Sequence, residues 1–276
     1  MKRVKAFTLA EVMIAITILG IIAVIVVPNL INNYKKRQTI SRLKIAYSML
    51  DNMTQQSYIE NGYPPLTTGL SNDIFDGYFG KYLNIDKYCG RDGGIKATGC
   101  FKQGSFKRAN SDTEYVKDDD GNEKQRDMFY ILDGNAQATG GYDPGTWHKV
   151  VLKNGMGLAT WHIGTVSSAG YIFLVDIDGP NKGQSKLGQD IFEFNYYSPL
   201  TGNSKCQNTM VIPGVSSPSY ISANCSVTRN YLLSQCKENG TYQGQNWNGM
   251  GCSGLIIKDG WKISTDYPWN YAQKKK

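Results

Sequence analysis

The chain has 276 residues and is 41% hydrophobic and 19% charged, enough apolar content for a real core and too much for a disordered polymer. Gly (30) and Tyr (18) are plentiful and His occurs only twice, which fits a strand-rich, loop-heavy head and leaves little for His-based zinc sites or serine-type catalysis. The net charge of +7 sits near the ends, with three cations in residues 2–5, five between 35 and 44 and three at 274–276; with Glu11 and Asp51 counted, residues 52–273 come to −2, so a basic nucleic-acid face is not supported.

Met1 to Ala6 is short and basic, and Phe7 to Val27 follows as 21 residues with one charge, Glu11. As a helix that run is about 31 Å long, enough to cross a hydrocarbon core of roughly 30 Å. No second span is expected, so the topology reads as single-pass, with the basic leader cytoplasmic and the long C-terminal part exported. The cations from Lys35 to Lys44 oppose that orientation, but long domains translocate largely regardless of charge. A secretory signal does not fit, because Val27 runs into Pro28-Asn29-Leu30 with no small-x-small site. A plain anchor leaves Glu11 unexplained, since a carboxylate costs about 2.5–3.5 kcal/mol at the centre of a span and less near its end.

Lys5-Ala6-Phe7-Thr8-Leu9-Ala10-Glu11, leading into an apolar helix, resembles the class III signal of type IV prepilins and type II secretion pseudopilins. The resemblance implies cleavage between Ala6 and Phe7 by a prepilin peptidase that is also the N-methyltransferase, leaving a methylated amine on Phe7. Family members usually carry Gly before the cut; here it is Ala6. The family's acid falls on Glu11, and Gly20 and Pro28 fall where many members have Gly and Pro, with a helix kink expected there. The implied partners are the lipid bilayer, an inner-membrane assembly platform, and copies of this chain or other pilins and pseudopilins. The amine of one copy's Phe7 would meet the Glu11 carboxylate of its neighbour, a pair that fixes register because either charge alone is unfavourable in apolar surroundings.

Beyond the span, Ile40, Leu43, Tyr47, Leu50 and Met53 recur at three- and four-residue spacing, so the helix continues as an amphipathic stalk. It is expected to end near Asn61-Gly62, before Pro64-Pro65. Residues 62–126 have no sustained period, although Ile74-Phe75 and Tyr78-Phe79 are expected to pack locally. Asp118 to Glu123 reads as a hairpin tip, with calcium as the alternative. Strands are expected at Met128–Leu132, Val150–Leu152, Gly157–Trp161, Tyr171–Val175 and Ile191–Tyr197. A two-residue turn at Asn154-Gly155 would set Trp147 opposite His162 and His148 opposite Trp161, with the two His on opposite faces. Asp176, Asp178, Asn181 and Asp190 cluster around a Gly-Pro turn, read either as an Asx-type turn or as a calcium site. A short helix is expected within Val227–Lys237, and a hairpin of Gly254–Ile257 with Trp261–Ile263 around Asp259-Gly260.

Six cysteines, Cys89, Cys100, Cys206, Cys225, Cys236 and Cys252, all follow the span, which in an exported part reads as disulfides. Six allow fifteen connectivities, and nearest-neighbour pairing (Cys89–Cys100, Cys206–Cys225, Cys236–Cys252) is the expectation. No nucleophile elbow, phosphate loop or zinc-protease motif occurs, and no cofactor is implied beyond the calcium alternative. The expectation is an α+β, pilin-like chain: leader 1–6, long helix 7–61 with 7–27 in the membrane, and an exported head of antiparallel sheet over 62–276. It would act as a minor or specialised structural subunit of a type IV pilus or a type II secretion pseudopilus, and not as an enzyme. The alternatives are an adhesin or DNA-uptake pilin, or an exported binding module or enzyme on a pilin-type anchor.

Overall fold

The computed structural model describes residues 8–63, 72–89, 115–117, 123–125, 148–163, 170–180, 182, 186–197, 212–213, 227–237, 241–242, 245–246 and 249–268. One helix dominates it: α1 (Leu9–Asn61), 53 residues. Thr8 caps its start, and Gly62 ends it at φ +73°, where its N–H donates to Tyr58 O at 2.9 Å. Gly20 and Pro28 both lie inside this unbroken helix. Pro28 cannot donate a backbone hydrogen bond, and beside it the Asn29 side-chain amide donates to Ile25 O at 3.1 Å.

The two halves of α1 differ in what they touch. From Leu9 to Gln38 only Asn32 and Lys36 are even half-buried. From Thr39 onward one stripe is buried: Thr39, Leu43, Ala46, Leu50, Met53, Thr54 and Ser57, with Ile40 and Tyr47 packed at its edge. The stripe follows the 3.6-residue period, and each fully buried leucine contributes about 1.5–3 kcal/mol relative to exposure.

The stripe packs on a six-stranded antiparallel sheet. Its strands are β1 (Ile85–Tyr88), β4 (His148–Leu152), β5 (Gly157–Ile163), β6 (Gly170–Asp176), β7 (Ile191–Tyr197) and the two-residue edge β8 (Ile212–Pro213), in the order β1-β4-β5-β6-β7-β8. Phe192, Phe194 and Tyr196 alternate onto one face of β7, and Tyr47 of α1 meets Phe194 at 6.2 Å between ring centroids. Thr39 reaches Gln189 and Tyr63 lies on Tyr196, so the stalk runs the same way as β7. A short helix, α2 (Asn72–Tyr78), and a 3-10 turn (Gly80–Tyr82) drive Phe75 and Phe79 into the core, where Phe79 meets Tyr171 at 5.1 Å and Phe173 at 5.3 Å. These two rings are central to the core, beyond the local packing expected of them.

Two smaller hairpins complete the strands: β2 (Tyr115–Lys117) with β3 (Glu123–Gln125), and β9 (Thr241–Tyr242) with β10 (Gln245–Asn246). The first frames the acidic tip, whose residues 118–122 lie outside the described residues, as does the strand expected at Met128–Leu132.

The structure corrects two expectations. The β4–β5 register pairs His148 with Thr160 and Val150 with Leu158, one residue away from the expected pairing. The cause is a three-residue loop, Lys153–Gly155, with Gly155 at φ +82° donating to Leu152 O, in place of a two-residue turn. A slip of one residue reverses face parity, so the argument that put His148 and His162 on opposite faces fails. His148 is buried and stacks on Phe75 at 4.8 Å.

The second correction is in the C-terminal lobe, which holds α3 (Arg229–Lys237) and α4 (Cys252–Lys258). Gly254–Ile257 is helical, not a strand. Asp259-Gly260 ends that helix: Gly260 N–H donates to Ile257 O and Trp261 N–H to Ile256 O, the two bonds of a Schellman cap with Gly260 at φ +73°. The lobe packs against the turn before β7, where Tyr267 Oη donates to Gly188 O. Arg229 ties its ends together, donating to Asp259 at 2.6 Å and Asp266 at 2.9 Å, which holds both carboxyls below their usual range.

Candidate functional site: the start of the stalk helix

The chain enters α1 at Thr8, which is extended (φ −78°, ψ 154°), while Glu11 is the third residue of the helix. Thr-x-x-Glu is the spacing at which the two side chains can satisfy each other's exposed backbone donors. Both halves of that exchange are present. Glu11 N–H donates to Thr8 Oγ1 at 3.3 Å, and Thr8 N–H donates to Glu11 Oε2 at 2.8 Å. Thr8 Oγ1 also donates to Oε2, at 2.9 Å. Both bonds to the carboxylate fall on Oε2, Oε1 has no partner among the described residues, and the carboxylate also faces the positive end of the helix dipole. Thr8 was not singled out in the sequence, although the spacing Thr8-Leu9-Ala10-Glu11 carries the signal.

Behind this cap the helix surface is apolar and bare. Leu9, Ile14, Ile16, Leu19, Ile21 and Val24 are all exposed. The helix is long and apolar enough to cross a membrane, and none of its most apolar stretch is buried in the rest of the protein. Its polar groups turn inward: Thr17 Oγ1 donates to Met13 O at 2.8 Å, as Asn29 does to Ile25 O. Ala6 and Phe7 lie outside the described residues.

Residues 1–27 match the family model of the prokaryotic N-terminal methylation motif. They are a prepilin-type signal. Such a signal implies processing by prepilin peptidase and assembly with other pilins, and the long bare helix fits membrane anchoring. No curated protein and no solved structure matches the chain.

The acidic turn is a second cluster. Asp176 Oδ1 accepts from the backbone N–H of Asp178 at 3.2 Å and of Gly179 at 3.0 Å, an Asx-type turn. Asp190 Oδ1 accepts from Lys186 N–H, and Asp178 lies 3.5 Å from Arg42, whose Nη1 also donates to Ile177 O at 2.7 Å. Burial, and then the negative charge of Asp190, push the Asp176 carboxyl up to about 7. Among the described residues no three His, Cys, Asp or Glu side chains are grouped as a metal ion would need, and Asn181 lies outside them. Through Arg42 the turn also joins the head to the stalk.

Of the six cysteines, the structure joins Cys236 to Cys252, linking the end of α3 to the start of α4. Cys89 is also disulfide-bonded, and its partner lies outside the described residues with Cys100, Cys206 and Cys225.

Proposed function

We propose that the chain is a structural subunit, minor or specialised, of a type IV pilus or a type II secretion pseudopilus. It is cleaved between Ala6 and Phe7, methylated on Phe7, held in the inner membrane by residues 7–27 with its head exported, and assembled through α1. One observation carries this reading: a methylation motif over residues 1–27 runs into a helix whose apolar first half nothing in its own head covers. Exposed leucines and isoleucines along more than 20 Å of helix need lipid before assembly and neighbouring helices afterwards.

The cap at Thr8 fits a role for Glu11 in register. In the lone subunit Thr8 satisfies one carboxylate oxygen, and Oε1, without a partner among the described residues, is available to the amine of a neighbour's Phe7. Exchange of that partner on assembly aligns subunits without stranding a charge in apolar surroundings. Glu11→Leu tests it. The variant should enter the membrane as well as wild type, since it is more apolar, yet fail to enter sheared filaments or the assembled pseudopilus. Incorporation at the wild-type level would refute the role of Glu11.

A further inference from the structure

Lys35, Lys36 and Arg37 are consecutive on α1, between the apolar run and Thr39, the first helix residue buried against the head. The next cations along the helix are engaged. Arg42 holds Ile177 O and Asp178, and Lys44 lies 5.4 Å over the ring of Trp261. Lys35, Lys36 and Arg37 have no hydrogen bond or ion pair among the described residues, and Asp178 is already taken by Arg42. Successive helix residues are rotated by about 100°, so the three fan over about 200° of the circumference and cannot all turn to one protein surface.

Their height along the helix is informative. At about 1.5 Å per residue, a hydrocarbon core of roughly 30 Å that begins at Phe7 is crossed near residue 27, or near 28 with the usual tilt. The next one or two turns lie in the headgroup layer. Tyr34, 67% exposed, stands there, where an amphipathic ring is favoured. Long cationic side chains at the following positions reach lipid phosphates by snorkelling.

We propose that Lys35, Lys36 and Arg37 form a collar that binds the phosphates of anionic phospholipids in the leaflet on the head's side, setting how far the stalk rises from the bilayer. The collar rests on α1 spanning a membrane and not on assembly into a filament. The test uses the chain from Phe7 onward, so that Lys2, Arg3 and Lys5 at the other end of the span contribute nothing, reconstituted in phosphatidylcholine bilayers with spin-labelled phosphatidylglycerol or phosphatidylcholine, reading the motionally restricted lipid. Wild type should prefer phosphatidylglycerol by roughly threefold, a preference that falls toward one in about 0.5 M NaCl and in K35Q/K36Q/R37Q. Glutamine is a good helix former, so the variant keeps its helix, checked by circular dichroism. K153Q/K182Q, on the head, should leave the preference unchanged. A preference that survives in the triple variant, or none in wild type, would overturn the collar. If the triple variant keeps the lipid preference but loses cross-linking between copies, the cations serve an acidic face of another subunit and the lipid assignment falls. Absence of restricted lipid of either kind would overturn the spanning helix, and the collar with it.

Discussion

Glu193 in β7 has no exposed surface. Its Oε1 accepts from Asn195 Nδ2 at 2.8 Å, and its Oε2 has no partner among the described residues. Burial pushes the carboxyl up from 4.5 to about 7, and the Asn195 bond offsets only part of that. The folded state therefore holds the proton more tightly than the unfolded one. Stability is greatest below the unfolded value, falls as pH rises toward 7, and is flat above it as far as this group is concerned. A gap of about 2.5 pH units at about 1.4 kcal/mol each comes to roughly 3 kcal/mol. Asp176, raised to about 7, acts in the same direction, so a variant is needed to separate them. Glu193→Gln keeps the shape and removes the titration. Guanidinium melts of the full chain in mild detergent, followed by near-UV circular dichroism, should show wild type losing about 3 kcal/mol more than E193Q between about pH 4.5 and 8. Parallel pH profiles for the two proteins would refute the reasoning.

Two further variants probe how the head is held together. Gly179 has φ +96°, and a Cβ there would clash with Gly155 O, so Gly179→Ala must displace either the acidic turn or the β4–β5 loop. It should cost at least about 2 kcal/mol in the same melts, whereas Gly155→Ala, strained but with open space around it, should cost less. Replacing both Cys236 and Cys252 with Ser opens a loop with a sequence separation of 16 and should cost about 3 kcal/mol, read as a lowered midpoint under non-reducing conditions.

Much of the stalk was legible because its signals are local and agree. An apolar run from Phe7 to Val27, a sustained 3.6-residue stripe from Ile40 to Met53 and a Gly stop each point to the same helix, and α1 runs from Leu9 to Asn61. The strands from His148 to Tyr197 were legible for the same reason, as β-branched and aromatic runs between turns. The failures came where one signal serves two structures. Asp-Gly marks both a hairpin and a helix C-cap, and at Asp259-Gly260 the buried Leu255 and Ile256 and the tether at Cys252 select the helix. Asn-Gly serves both two- and three-residue loops, and its ambiguity moved the β4–β5 register by one. β1, whose Asp86, Lys87 and Tyr88 are exposed, has no alternation to reveal it and is recruited by pairing with β4. Phe75 and Phe79 gave no periodic cue, because α2 is a single short helix whose place is set by the sheet beneath it.

The account depends on the N-terminal segment being cut and used for polymerisation. Intact-mass and N-terminal peptide mass spectrometry of the protein from its native host tests that directly. The account predicts a chain lacking Met1 to Ala6 and carrying one methyl group on the amine of Phe7. A chain that still bears those six residues after export would contradict it.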